Sequence, residues 1–259
     1  QHFFNWVNHN RLGFACMNEE HNWIKYDFSN RIVLVTGGTG ALGRAISKAF
    51  IISGATVISS YVVDREADQL EAQIKSVVHL MKADIGKEEE VKKLVSSILD
   101  KYGQIHILVN VVGGYVGGKS VNELDEKEWD LMMNMNLKSA FLMSRNVIPQ
   151  MISSKNGKIV HVSSRSGLKS TGYDSAYAAS KSGLIRLVES LSEEVKDLNI
   201  NVNCIMPSTI DTEANRIAMP NADHSRWVKP LDLANIVLFL CSEDGKAITG
   251  AAIPTYGLA

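Results

Sequence analysis

Residues 31–53 constrain the fold more than any other stretch of this chain. R-I-V-L-V at 31–35 is a short, β-branched apolar run that reads as a buried strand. T-G-G-T-G-A-L-G follows at 36–43, and 44–53 carries a helical pattern. The glycines let the backbone turn tightly at the strand end. They also bring N–H groups to the start of the helix, where an anion such as a pyrophosphate is favoured. A buried strand that leads through such a turn into a helix opens a β-α-β unit. It commits the chain that follows to more parallel strands joined by helices.

The alternation continues to the end. Apolar runs at 55–61, 77–81, 105–109, 158–162, 200–206 and 251–256 read as strands. The segments 87–101, 124–153, 174 onward and 231–241 read as helices, with 124–153 a single long one. No linker or repeat separates them. The expected fold is α/β, a single domain over residues 30–259 with a doubly wound parallel sheet and helices on both faces. Residues 1–29 are set apart as an N-terminal extension that mixes aromatics, Asn and His without a period and lacks the apolar core of a secretory signal. Met17 can serve as a start, which leaves 1–16 as an upstream tail without structure. For the extension as a whole, Phe3, Phe4, Trp6 and Trp23 suggest an arm that packs on the body or on a neighbouring subunit.

Composition excludes several classes. A net charge of −1 over 259 residues offers no basic field for a nucleic acid. The three cysteines, Cys16, Cys204 and Cys241, are far apart and form no C-x-x-C. That argues against a disulfide framework or zinc site and for a reducing compartment, the cytoplasm. No apolar run reaches the ~18 residues that a membrane span needs.

The second informative stretch is 163–183, S-S-R-S-G-L-K-S-T-G-Y-D-S-A-Y-A-A-S-K-S-G. Tyr177 and Lys181 are four residues apart on an expected helix, so they share a face. A positive charge beside a phenol favours the phenolate and is expected to lower its pKa from about 10, which gives a proton donor for use near neutral pH. Ser164 lies 13 residues before Tyr177, just after the strand at 158–162. The end of a strand beside a helix is where an α/β protein places its chemistry.

Together these motifs resemble the short-chain dehydrogenase/reductase family, over roughly residues 30–259. The resemblance implies a Rossmann-type fold, a bound NAD or NADP, and Asn136, Ser164, Tyr177 and Lys181 as the catalytic set. Asn136 lies in M-N-M-N-L-K-S-A-F, with the role of holding a water that relays protons to the lysine. For the cofactor the resemblance implies the turn residues Gly37, Thr39, Gly40, Leu42 and Gly43. Ala41 stands where the family usually has its middle glycine; read as G-x-x-G-x-x-G, the turn looks like that of longer, epimerase-type relatives. Asp64, 21 residues after Gly43, is the candidate for the adenosine ribose, and Arg65 is the alternative partner for a 2′-phosphate. Asp84 and Ile85 are implied beside the adenine. Asn110, Val112 and Gly113 belong to N-V-V-G, where the family has N-N-A-G. Pro207, Ile210 and Thr212 belong to P-S-T-I-D-T, with Ser208 in place of the usual glycine, and are implied at the nicotinamide along with Tyr177 and Lys181.

The reading is an oxidoreductase that moves hydride between nicotinamide and a small carbonyl or alcohol, with Tyr177 as general acid/base and no metal. Homotetramers are usual in the family. Residues 210–227 also resemble dihydropteridine reductases, so a quinonoid dihydropteridine-type reductase is one alternative. A dinucleotide-binding protein without catalysis is another. The loop at 113–118 reads as a mobile border of the site. Tyr115, Lys119, Met219, His224 and Trp227 are mixed in chemistry and name no substrate.

Overall fold

The computed structural model describes residues 26–70 and 72–258. The aromatic arm expected from Phe3, Phe4, Trp6 and Trp23 lies outside them. Among the described residues the strands are β1 (Ile32–Thr36), β2 (Thr56–Tyr61), β3 (His79–Lys82), β4 (Ile107–Asn110), β5 (Gly157–Val162), β6 (Ile200–Pro207) and β7 (Ala252–Thr255). They form one sheet in the order β3-β2-β1-β4-β5-β6-β7, and every pairing is parallel. The chain runs outward from β1 to β3, then returns to place β4 on the other side of β1. This reversal opens a crevice at the strand ends between β1 and β4.

The central strands are buried on both faces, which is why they read as continuous apolar runs. Alternate residues serve different cores. Leu34, Ile58, Leu108 and Ile159 pack against α4 (Glu88–Tyr102), α6 (Ser139–Ser154) and α7 (Ser175–Val195) on one face. Val33, Val35, Val57, Val109 and Val160 pack against α1 (Ala41–Ile52) and α9 (Pro230–Cys241) on the other. Phe28, at the described end of the expected extension, is buried in the second core and meets Phe50 edge-on at 4.9 Å. Two short helices, α2 (Asp64–Asp68) and α3 (Ala72–Lys75), link β2 to β3. The third strand begins at His79 rather than at 77, because the Val77 and Val78 amides close a turn onto the Ile74 carbonyl.

One expectation needs correction. The helix expected over 124–153 is not uniform: α5 (Glu126–Met132) and α6 are joined by a π-helical turn, Met133–Lys138. Asp125 and Glu128 form a capping box that fixes its start. The wider turn carries Asn136, which is buried and held by hydrogen bonds from outside the helix. Such π turns occur mostly inside α-helices and often at functional sites.

Candidate active site

Most of the expected site residues lie at or just beyond the C-terminal ends of β1, β4, β5 and β6, while Asp64 follows β2, Asp84 and Ile85 follow β3, and Asn136 lies on the π-helical turn. Thr36 and Asn110 are register partners on β1 and β4. The Thr36 hydroxyl donates to Asn110 Oδ1 at 2.8 Å and accepts from the Val111 and Val112 amides at 3.0 and 3.3 Å. The loop after β4 is thus tied to the glycine turn through backbone amides, which any side chain at 111 and 112 permits. Thr36 was not singled out from the sequence.

Gly37 has a φ of 64°, and α1 starts at Gly40 with no side-chain cap and no acidic residue in its first turn. A Cβ on Gly43 would overlap the Gly37 carbonyl oxygen, so the helix can start this close to the strand only with glycine there. The free amides at this helix start, together with its dipole, form a cradle suited to an anion. The Thr39 hydroxyl donates to Glu66 at 2.7 Å. Leu42 and Ile85 are buried in the cores, at 7% and 2% exposure, so each can offer a ligand only its backbone. Asp64 is exposed at the start of α2 and ion-paired with Lys82. Asp84 Oδ1 accepts from the Gly86 amide at 3.0 Å, and its carboxylate pairs with Lys87 at 3.3 Å.

The loop at 113–118 is hydrogen-bonded near both ends. Asn136 Oδ1 accepts from the Gly114 amide at 2.9 Å, while its Nδ2 donates to the Gly114 carbonyl at 3.1 Å and to Ser180 Oγ at 3.0 Å. The Gly118 amide donates to the Tyr173 carbonyl at 2.7 Å. A Cβ on Gly113 would press on Asn136 Oδ1 at 2.9 Å and Lys181 Nζ at 3.0 Å. Gly113 therefore sits against both polar groups.

Tyr177 and Lys181 share a face of α7, as their spacing predicts, with Nζ 5.8 Å from the ring centroid. Ser164 is the N-cap of a 3-10 turn at the end of β5, where its Oγ accepts from the Ser166 amide at 3.2 Å. Lys181 is buried, and its ammonium donates to the Val162 carbonyl at 2.8 Å. Burial pushes its pKa down to about 8. The expected net lowering of the Tyr177 pKa is corrected here. Burial pushes the phenol up and the Ser164 hydroxyl pulls it back, while Lys181 faces a backbone carbonyl. Tyr115 meets Tyr177 edge-on at 5.0 Å.

On the other side of the crevice, Pro207 ends β6 and Ile210 bridges to Val228. Thr212 caps α8 (Glu213–Ala218), its hydroxyl accepting from the Asn215 amide at 3.2 Å. The Ser208 hydroxyl donates to the Tyr256 carbonyl at 2.6 Å, so a serine replaces the usual glycine by tying this loop to β7's exit.

A family model described as short chain dehydrogenase matches residues 31–222. The chain is 31% identical over 238 residues to a 3-oxoacyl-[acyl-carrier-protein] reductase of Thermotoga maritima, covering 88% of this chain and 96% of that protein. It is 32% identical over 245 residues to dehydrogenase/reductase SDR family member 4 of Homo sapiens, with 88% and 87% covered. Among solved structures it resembles levodione reductase in fold, with a TM-score of 0.83 at 24% identity over 89% of this chain and 97% of that one. No helix among the described residues is long and apolar enough to cross a membrane. The fold, the strand-end site and these likenesses together make the chain a member of the short-chain dehydrogenase/reductase family, an oxidoreductase that depends on NAD or NADP.

Proposed function

We propose that the chain interconverts a small carbonyl compound and its alcohol, with Tyr177 as the proton donor and acceptor. The observation that carries this reading is the convergence of Ser164, Tyr177, Lys181 and Asn136 at the ends of β4 and β5, with Gly113 packed between the last two. The dinucleotide, when bound, supplies or accepts the hydride. The uncapped start of α1, with Gly37, Thr39, Gly40 and Gly43, would hold its pyrophosphate. Asp64, Asp84, Asn110, Val112, Pro207, Ile210 and Thr212 would flank the rest of it.

In reduction, Tyr177 Oη gives its proton to the carbonyl oxygen; in oxidation it takes the alcohol proton. Ser164 Oγ orients that oxygen and stabilises the charge that develops on it. The resulting phenolate is costly where burial already raises the phenol pKa. A protonated Lys181 one turn away offsets part of that cost. Asn136 spends its amide hydrogens on Gly114 and Ser180, and Oδ1 keeps a lone pair for a relay water beyond the Gly114 amide. A cytoplasmic homotetramer belongs to the same reading, and Phe141 and Ile152 on α6 are exposed at 44% and 41%. Sedimentation tests the assembly.

The activity test is a panel of ketones, aldehydes and alcohols, with a quinonoid dihydropteridine included, run with NAD(H) and NADP(H). Turnover of a carbonyl that is lost in Tyr177→Phe supports the reading. Turnover of the pteridine alone favours the pteridine reductase. Tight dinucleotide binding with no turnover favours the non-catalytic binding protein.

A further inference from the structure

Spacing along the chain points to Asp64 and Arg65 as partners for the adenosine ribose, yet the acidic side chain that meets the glycine turn is Glu66. Thr39, within that turn and 7% exposed, donates its hydroxyl hydrogen to Glu66 Oε2 at 2.7 Å. A hydroxyl bond to a carboxylate is short and roughly twice as strong as a neutral one. Glu66 itself is exposed, and among the described residues its Oε1 has no hydrogen-bond partner and its carboxylate no ion pair. The carboxylate is thus anchored to the turn through one oxygen and open to a ligand at the other.

The other charges nearby are directed elsewhere. Asp64, two residues earlier, is ion-paired with Lys82 on the edge strand β3. Arg65 is exposed beside Glu66 on α2, and consecutive helix residues do not share a face. The turn itself, 36–43, carries no basic side chain. The Gly38 amide donates to the Ser60 carbonyl at 3.2 Å, which holds the turn against the end of β2, the strand that leads into α2. Tyr177 and Lys181 lie on the opposite side of β1, where Lys181 is tied to the end of β5. A dinucleotide with its pyrophosphate at the start of α1 and its nicotinamide at Tyr177 must carry its adenosine the other way, over the end of β2. Glu66 stands on that side of the turn.

We propose that Glu66 is a specificity-determining residue that makes this chain prefer NAD to NADP. Its carboxylate accepts a hydrogen bond from the adenosine ribose and repels a 2′-phosphate by like charge. This rests on the oxidoreductase reading above and narrows it to one of the two dinucleotides.

The test is binding to the full chain, followed by nicotinamide fluorescence with NADH and NADPH up to millimolar concentration. Competition against bound NADH by adenosine 5′-phosphate and by adenosine 2′,5′-bisphosphate isolates the adenosine half. Wild type should bind NADH about tenfold or more tightly than NADPH, and the monophosphate should compete better than the bisphosphate. Glu66→Gln keeps the shape and removes the charge. It should tighten NADPH by about tenfold, change NADH by only a few-fold and bring the two close together. Glu66→Ala should weaken NADH further, because the ribose loses its acceptor, while NADPH still gains. A wild type that favours NADPH overturns the proposal, and so does a Glu66→Gln that leaves the ratio unchanged. Equal losses for both dinucleotides in Glu66→Gln would make the Thr39 bond a brace for the turn and also overturn it. A larger change of the ratio in Asp64→Asn than in Glu66→Gln would move the selection to Asp64. If the wild type binds neither dinucleotide, the oxidoreductase reading itself has failed and the proposal falls with it.

Discussion

The Lys181 ammonium donates to the Val162 carbonyl across 2.8 Å, so the buried charge is anchored to the end of β5 rather than to the Tyr177 hydroxyl. This contact fixes the position of Nζ, and burial sets its pKa at about 8. Lys181 is therefore charged at neutral pH and loses its proton just above it.

Lys181→Met should weaken both turnover and dinucleotide affinity, because the charge serves the phenolate and the anionic cofactor together. In wild type the dissociation constant should rise as pH increases through about 8, while the variant should be flat over the same range. Fluorescence titrations from neutral to alkaline pH check this. Parallel curves for the two proteins would remove Lys181 from cofactor binding.

Tyr177→Phe deletes one oxygen and almost no volume. Dinucleotide affinity should be kept, since most expected contacts lie in the glycine turn and strand ends. Turnover should drop by about 10²–10⁴-fold, the usual loss when a general acid is removed. Ser164→Ala should lower turnover too, with little change in affinity. Steady-state rates beside dissociation constants make the comparison, and near-wild-type turnover in Tyr177→Phe would place the proton donor elsewhere.

The sheet and its helices were legible because burial on both faces leaves strands with little choice but apolar residues, as at 31–35 and 158–162. The site motifs were legible where spacing alone defines a face, as for Tyr177 and Lys181. Other features depend on partners far away in sequence. The π turn leaves no mark on the periodicity of 124–153, because what holds it is Asn136 reaching Gly114 and Ser180, 22 and 44 residues distant. The phenol pKa depends on burial, which outweighs a neighbouring charge that the sequence places correctly. Glu66 is likewise marked only by its bond to Thr39, 27 residues away.

Gly113→Ala tests the packing around Asn136. The added methyl would press on Asn136 Oδ1 and Lys181 Nζ, side-chain ends rather than backbone, which can yield by a few tenths of an ångström while keeping their hydrogen bonds, and the backbone at 113 needs no left-handed conformation. The fold should therefore survive with its urea midpoint little changed. Turnover should fall by about tenfold or more, since displacement by a fraction of an ångström is costly in a positioned site. Unchanged turnover would show that the Asn136–Lys181 spacing carries no part of the chemistry.

His161 sets an acid limit on stability. It is fully buried on β5, its Nε2 lies 3.0 Å from Ser144 Oγ, and its Nδ1 has no partner. Burial, with the nearby Lys181 charge, pushes its pKa down to about 3, against 6.5 for an exposed imidazole. Between those values the unfolded chain binds a proton that the folded chain does not. Stability must then fall as pH drops from 6.5 towards 3, by up to about 1.4 kcal/mol per pH unit from this one group. Asp174 acts in the opposite sense, because its raised pKa lets the folded state take up a proton first. Comparing wild type with His161→Asn cancels that contribution and those of the surface carboxylates. Urea unfolding at several pH values between neutral and about 4 measures the difference. The variant should start less stable, through the loss of ring packing, and its stability should decline less steeply with acid. Equal slopes in the two proteins would mean that the imidazole takes up its proton in the folded state at an ordinary pH.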